Sequence, residues 1–344
     1  MPDKQINRIE SVDILKGIAI LTVVVGHSGF GSYITKYLAA FHMQVFFFLS
    51  GLLYKPNRYK CFRDILSRKA RTILVPYCFF AVVTIVLCAM VSMITHANPY
   101  DFPGCLLGII WSNRSIFPIT GGIWFLQCLF WVELVFWFLE SHTSHNTLYG
   151  AMLLFFILAY VQSKSNIMLP FAMDSALSAI VFYGIGYSAK SFWGRCAACG
   201  KNEMSAFLIS FCLLLGGAVL AFVNGDVNPR TCTYAIYPLY YLNALITIVG
   251  LSIFACLLEK SESGFIKWVD AGLIRCGRNS IIFLGFNQLI INCLYYLCNL
   301  CFPFETQVQK GLRNIGICVM SCILLYCMTF LFEKTKLRVL VGKQ

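Results

Sequence analysis

An acid, a base and an imidazole share one face of the first apolar segment. Helical periodicity places Lys16 and His27 within about 20° of each other around the axis, and Asp13 about 40° away. Lys16 and His27 are about 16 Å apart along that axis, roughly half the hydrocarbon thickness of a bilayer. Ionisable groups at such depth are costly unless they face the protein interior or water, so the stripe is a candidate functional site. The alternative is interfacial anchoring by Asp13 and Lys16, with a buried, hydrogen-bonded His27.

A second imidazole, His42, opens the next apolar segment, and Ser50 lies deeper in it. If the two segments form an antiparallel hairpin, His27 and His42 both lie in the outer half of the bilayer and can share a cavity. An imidazole there can act as a general base on a hydroxyl or as an acyl-carrying nucleophile. Interfacial packing is the alternative for His42.

Three cations precede the third apolar segment. Arg68, Lys69 and Arg71 fall within four residues, and a planar guanidinium can bind phosphate through two parallel hydrogen bonds. The cluster therefore predicts a phosphate-binding rim at the inner end of a helix. Positive-inside topology and attraction to anionic lipids would produce the same cluster.

Two later apolar segments contain polar side chains. Glu133 lies in an aromatic span that begins near Trp124, and it must be neutral, paired or exposed to water, because an unpaired charge there is expensive. Asn287, followed by Gln288, lies in the ninth segment, where a structural role as a bridge between membrane helices is the alternative to a functional one.

The composition predicts one all-α, polytopic membrane domain over residues 1–344. Hydrophobic residues make up 59% of the chain and charged residues 12%, and the mean hydropathy of +0.74 is far from that of soluble globular proteins. A helix forms all its backbone hydrogen bonds internally, as lipid requires, and no alternation of apolar and polar residues indicates a β-barrel. Ten transmembrane helices are expected, at residues 12–30, 37–54, 72–95, 122–140, 147–163, 170–189, 204–223, 233–258, 279–302 and 312–332.

The net charge of +12 follows membrane topology rather than nucleic-acid binding. If both termini are cytoplasmic, 21 of the 27 Lys and Arg residues fall in inside segments, as the positive-inside rule expects for an even number of spans. The loop 55–71 alternates basic and apolar residues, which predicts an amphipathic helix on the lipid of the inner leaflet. The seventeen cysteines predict no disulfide framework, and the lone Cys196–Cys199 pair predicts no metal site.

Several partial motifs occur in a characteristic order along the chain. They are Asp13–Ile20 with Gly26–His27, Phe41–Met43 with Phe48–Gly51, Arg68 and Arg71 before Pro76–Tyr77, Trp124–Leu126 and, more weakly, Gly277–Ser280. In these motifs the sequence resembles the integral-membrane acyltransferases called acyltransferase family three. The resemblance is to the stand-alone branch, which includes sugar O-acetylases and fucose 4-O-acetylase-like proteins.

The resemblance implies transfer of an acyl group, usually acetyl, from cytosolic acyl-coenzyme A to a hydroxyl of a cell-envelope carbohydrate or glycolipid. It also implies the cytoplasmic membrane of a bacterium. We expect His27 to be the general base, Asp13 and Lys16 to orient the thioester or pair with each other, and His42 or Glu133 to complete the proton path. The residues expected to hold acetyl-CoA are Arg68, Lys69, Arg71, Ser50, Trp124 and Asn287.

Two positions depart from the family pattern. Lys16 stands where family members have an arginine, and lysine lacks the bidentate fork. Asn287 and Gln288 stand where many members have a late histidine, so no essential late histidine is expected. A transporter or flippase of an anionic or sugar-containing solute would also use buried ionisable residues and a basic inner mouth, but no internal duplication supports it. A structural membrane scaffold is a third alternative, but a scaffold needs no buried charges, and this sequence has them.

Overall fold

The structure is a computed structural model of the chain. It describes residues 9–95, 104, 106, 108–109, 122–165, 167–191, 193–194, 203–302, 304 and 306–343. The Cys196–Cys199 pair lies outside these residues.

Helices make up nearly all of the described chain. A short antiparallel hairpin joins two of them, with β1 (Val227–Asn228) paired to β2 (Thr233–Tyr234). The α-helices are α1 (Glu10–His27), α2 (Ser32–Ala39), α3 (His42–Leu52), α4 (Phe62–Lys69), α5 (Val75–Thr95), α6 (Trp124–His142), α7 (His145–Lys164), α8 (Met173–Ser188), α9 (Glu203–Asn224), α10 (Tyr237–Lys260), α11 (Gly264–Arg278), α12 (Ser280–Cys301) and α13 (Gln307–Lys334).

Within the described residues, seven helical segments are long and apolar enough to cross a membrane, and the predicted all-α, polytopic membrane architecture is confirmed. These segments are Phe62–Leu87, Trp124–His142, His145–Lys164, Glu203–Asn224, Tyr237–Lys260, Ser280–Cys301 and Gln307–Lys334. The other three of the ten predicted spans are also helical, but they differ from simple spans. Helix α1 carries three charges near its start, the second predicted span is broken between α2 and α3, and α8 has only 16 residues.

The break in the second predicted span has a local cause. His42 Nδ1 lies 2.5 Å from the carbonyl oxygen of Leu38, the group that the backbone N–H of His42 would bind in a continuous helix. Since a carbonyl oxygen only accepts, Nδ1 carries the hydrogen and donates it. The imidazole thus caps α2, and Phe41 leaves helical geometry with φ −139°.

The predicted amphipathic segment 55–71 becomes helical only at Phe62. From there α4 runs without interruption into α5 through a π-helical turn at Ala70–Leu74. In α4 the side chains of Phe62 and Leu66 are exposed and Ile65 is buried. The amphipathic helix is therefore the first part of the third span rather than a separate element.

Helix α1 lies in the centre of the helical packing, against α3, α10, α11 and α12. Its closest approach is to α11, at two glycines. A Cβ atom on Gly17 would overlap the backbone of Leu273, and one on Gly277 would overlap the carbonyl group of Asp13. The glycines let the two helix backbones touch, as small residues do in membrane helix pairs.

The beginning and end of the described chain lie at one end of the molecule. Arg278, at the end of α11, binds Asp13 near the start of α1, and Lys343 donates to Asn279. Gly342 packs against the backbone of Thr72. This arrangement agrees with an even number of crossings. Following the predicted topology, we call this the inner end, and the end that holds His27 the outer end.

Candidate active site

A cavity of about 190 Å³ lies near the inner end, between α1, α3, α6, α12 and the π-helical turn. It is larger than the cavity of about 150 Å³ that accommodates benzene in an engineered protein. Its lining contains three separate motifs of the sequence, represented by Lys16, Ser50 and Ser280; the other lining residues are Ile20, Phe46, Thr72, Ile73, Phe125, Leu126, Leu129, Ile281 and Leu284.

The inner wall of this cavity carries positive potential from two sources. Lys16 supplies a formal charge, and Ser280 is the first residue of α12, where the helix dipole places a partial positive charge. An anionic or strongly polarised ligand is therefore favoured in the cavity.

A π-helical turn at Ala70–Leu74 directly follows Arg68 and Lys69 and contains Arg71. A π turn inserts an extra residue into the helical period, and such turns are frequent at functional sites. Thr72 and Ile73 line the cavity, Arg68 and Arg71 are exposed, and Lys69 points into the protein. Two of the three predicted phosphate-binding cations thus remain at the surface.

Lys69 forms an ion pair with Glu133 of α6. The side chains are only 17% and 10% exposed, so the pair is largely removed from water. The sequence predicts that Glu133 is neutral, paired with a cation or exposed to water, and the structure shows it paired. It also places Glu133 beside the basic cluster at the inner end, whereas His27 lies at the opposite end of α1.

Glu133→Gln should destabilise the protein by about 3 kcal/mol, because it leaves the buried Lys69 ammonium without its counter-charge. Thermal unfolding in lipid nanodiscs, followed by tryptophan fluorescence, measures the change. The double variant Lys69→Met/Glu133→Leu should recover most of the stability, since apolar side chains replace both charges. Arg68→Met, at an exposed neighbour, should stay within about 0.5 kcal/mol of wild type. Equal losses in Glu133→Gln and Arg68→Met would contradict a stabilising pair.

Asp13 also has a partner from a distant part of the chain. Its carboxylate accepts a hydrogen bond of 2.9 Å from Arg278 Nε, and the Asp13 side chain is 7% exposed. Next to this pair, Asn279 donates to Glu333 at 2.8 Å, and Glu333 binds Arg275. These contacts hold α11, α13 and the start of α12 together where Ser280 enters the cavity.

His27 and His42 meet at the outer end. They are close enough to interact electrostatically. The hydrogen bond to Leu38 places a hydrogen on His42 Nδ1, so in the neutral ring Nε2 is the acceptor. His27 itself is half-buried in the last turn of α1.

Arg230 is a charged neighbour of His27 that the sequence patterns do not reveal. It lies in the loop between β1 and β2, and this loop folds inward onto α8. Ser175 Oγ donates to the carbonyl oxygen of Pro229 at 2.9 Å, and Cys232 is buried. A loop of only four residues, 229–232, gives no periodic signal, so only the structure locates its cation.

Two further residues hold the turn that follows His27. Asn314 Nδ2 donates to the carbonyl oxygen of Gly29 at 2.7 Å, and the Tyr295 hydroxyl donates to that of Ser28 at 2.9 Å. Both side chains come from the last two helices. They fix the C-terminal end of α1, and thereby the position of the His27 imidazole.

Asn287 lies beyond the cavity in the outward direction, three residues after Leu284 of the lining, whereas Gln127 lies at the depth of the cavity, between Leu126 and Leu129. The cavity lining reaches Ile20, seven residues or about 10 Å of helix before His27. Asn287 Nδ2 donates to backbone carbonyls of its own helix, at Phe283 and Leu284, rather than to another helix. Within the described residues, Asn287 Oδ1 and Gln127 Oε1 are buried without a hydrogen-bond donor.

Trp124 is buried at the start of α6, one residue before Phe125 of the cavity lining. The preceding Gly122 lies against the backbone of Leu284 and near the Asn287 amide. Trp124, Ser50 and Asn287 therefore surround the cavity and the region directly beyond it, although they come from three different helices.

The family model of an acyltransferase domain matches residues 9–332, nearly the whole chain. The chain belongs to acyltransferase family three. No curated protein and no solved structure matches this acyltransferase significantly. Membership confirms the resemblance inferred from the motifs and, with the apolar helices, makes the chain a multi-pass membrane acyltransferase. The sugar O-acetylase branch stays a prediction.

Proposed function

We propose that this acyltransferase moves an acetyl group from cytosolic acetyl-CoA to a hydroxyl of a cell-envelope carbohydrate or glycolipid, in the cytoplasmic membrane of a bacterium. Family membership supports acyl transfer in general. The observation that carries the donor assignment is the inner cavity, because Lys16, Ser50 and Ser280 converge there, and the exposed Arg71 precedes Thr72 of its lining.

The donor's phosphates bind to the exposed guanidinium groups of Arg68 and Arg71 at the inner end. Each guanidinium offers a planar fork that matches two phosphate oxygens, which a lysine cannot do. Lys69 supports this rim from inside through its ion pair with Glu133. The thioester end of the donor enters the cavity toward Lys16.

Two buried amide oxygens, that of Gln127 at the depth of the cavity and that of Asn287 just beyond it, favour a passage for acetyl-CoA from the cavity toward His27. A buried oxygen that accepts no hydrogen bond costs about 1–3 kcal/mol, so such an oxygen in a protein interior requires a hydrogen-bonding partner. The pantetheine arm of coenzyme A carries two amide N–H groups. We assign them to Gln127 Oε1 and Asn287 Oδ1, which are orphaned within the described chain.

His27 acts as general base at the outer end of this passage. Its imidazole takes the proton from the acceptor hydroxyl while the hydroxyl oxygen attacks the thioester carbonyl carbon. The new C–O ester bond forms, the C–S bond breaks, and coenzyme A leaves as a thiolate that takes up the proton. Arg230, as a cation near His27, stabilises the negative charge that develops on the carbonyl oxygen.

Saturable binding of radiolabelled acetyl-CoA to the purified chain in nanodiscs tests the donor assignment. The double variant Arg68→Gln/Arg71→Gln should weaken binding at least about tenfold, because two charge-assisted phosphate contacts are lost. Arg58→Gln/Lys60→Gln is the matched control, since it removes the same net charge from the same inner segment. Equal weakening in both double variants, or no saturable binding to wild type, would refute the donor site.

A further inference from the structure

A second cavity lies at the outer end, between α12 and α13, away from the inner cavity. This outer groove has a volume of about 470 Å³, and Phe302, Phe304, Gln309 and Arg313 are among its lining residues. It contains an aromatic pair, with the Phe302 and Phe304 ring centroids 6.2 Å apart, together with one amide and one guanidinium. Aromatic walls with a few polar groups are typical of small-molecule sites.

Arg313 is flanked by two aromatic rings in this groove. Its guanidinium carbon lies 4.9 Å from the Tyr295 ring centroid and 5.2 Å from that of Phe304. Contacts of this kind stabilise a cation without neutralising it. They also orient the plane of the guanidinium, so less side-chain entropy is lost when a ligand binds.

The hydrogen bonds of Arg313 go to neutral acceptors within the described chain. Nη1 donates to Asn299 Oδ1 at 2.8 Å, and Nε and Nη2 lie 3.3 Å from Asn314 Oδ1. A guanidinium has five N–H donors, so these contacts leave donors for a ligand. Among the described residues no carboxylate forms an ion pair with Arg313, and its positive charge suits an anionic group.

The same residues connect the outer groove to the candidate base. Asn314, which accepts from Arg313, donates to Gly29, and Tyr295, which stacks on Arg313, donates to Ser28. Ser28 and Gly29 directly follow His27. A ligand bound to Arg313 is therefore connected, through Asn314 or Tyr295, to the turn that positions the His27 imidazole.

We propose that the outer groove binds the carbohydrate acceptor and that Arg313 selects acceptors carrying a carboxylate or phosphate group. The inference rests on the proposed O-acyl transfer and adds the class of acceptor. Arg313 binds the anionic group through its planar fork, and Phe302 and Phe304 pack against the apolar faces of the sugar rings. A phospholipid headgroup offers the same anionic chemistry, so the test must separate the two sources.

Lys310 provides the matched control. It lies one helical turn before Arg313 on α13, carries the same charge, and does not line the groove. Arg313→Gln and Lys310→Gln remove one positive charge each from the outer end of the same helix. An effect due to lipid headgroups is shared by the two variants, whereas an effect of the groove belongs to Arg313 alone.

The experiment compares envelope glycans of cells that lack the gene, or express wild type, Arg313→Gln or Lys310→Gln. Glycans are separated into acidic and neutral fractions by anion exchange, and one acyl mass increment is sought in each by mass spectrometry. We expect the increment in acidic glycans, reduced at least tenfold by Arg313→Gln and unchanged by Lys310→Gln. Binding of acetyl-CoA to purified Arg313→Gln should equal wild type, which shows that the protein is folded.

An increment confined to neutral glycans would overturn the inference, as would an unchanged increment in Arg313→Gln or equal losses in both variants. Each of these outcomes leaves acyl transfer to carbohydrate intact. An absence of the increment from every glycan of wild-type cells would instead refute the proposed function, and the acceptor groove with it. The two failures are therefore distinguishable.

Discussion

Replacing His27 with alanine should lower the rate of acyl transfer at least about 100-fold, because a positioned general base contributes about 10²–10⁴-fold to such reactions. The imidazole is half-buried at the end of α1, beside His42 and Arg230, and the residues after it are held by two side-chain hydrogen bonds. Transfer of radiolabelled acetyl from acetyl-CoA to endogenous glycans in membrane vesicles measures the rate.

Two controls separate chemistry from folding in this experiment. His142→Ala removes an exposed imidazole at the end of α6 and should leave transfer unchanged. Saturable acetyl-CoA binding should persist in His27→Ala, since Arg68 and Arg71 lie at the opposite end of the molecule. If His27→Ala retains transfer close to the wild-type rate, the role of His27 as general base is wrong.

The local features of the site were predictable because they depend on helical period and hydrophobicity. The first span was expected at 12–30, and α1 runs from Glu10 to His27. The placement of His27 and His42 at the same end of the molecule follows from a short connection between two antiparallel segments. Such inferences need only neighbouring residues, whose geometry a helix fixes.

The long-range partners were not predictable from these patterns. Asp13 pairs with Arg278, which is 265 residues away in sequence, and Tyr295 reaches Ser28 across 267 residues. The spacing of apolar residues along a helix shows that one of its faces is buried. It does not show which other helix packs against that face. The sequence therefore predicted that Asp13 orients the thioester or pairs with Lys16, but it did not predict the ion pair with Arg278.

The basic cluster shows how a local irregularity changes a prediction. In a regular helix Arg68, Lys69 and Arg71 spread over about 160° of the helix circumference, and their residue types do not show which of them faces the protein. The π-helical turn that begins at Ala70 shifts the register of the residues after it, and Glu133 draws Lys69 inward. The candidate donor rim consequently contains two arginines rather than three cations.

Gly277→Ala should be among the most destabilising single substitutions, with a loss of about 3 kcal/mol in the free energy of unfolding. A methyl group there overlaps the backbone carbonyl of Asp13, and backbone cannot rotate away as a side chain can. Helix α11 must move off α1, which breaks the contact of Arg278 with Asp13 and displaces Ser280 from the cavity. Acetyl-CoA binding should fall together with stability.

Gly272→Ala, five residues earlier on the same helix, is the control for Gly277→Ala. No atom lies within 4 Å of a Cβ at Gly272, so the methyl group is accommodated there. Alanine is the better helix former, and Gly272→Ala should leave stability equal to wild type or raise it by about 0.5–1 kcal/mol. The midpoints of thermal unfolding of both variants in nanodiscs measure this difference in stability. Equal midpoints would mean that the α1–α11 backbone contact does not hold the inner cavity together, whereas a loss confined to Gly277→Ala identifies that contact as the support for Lys16 and Ser280.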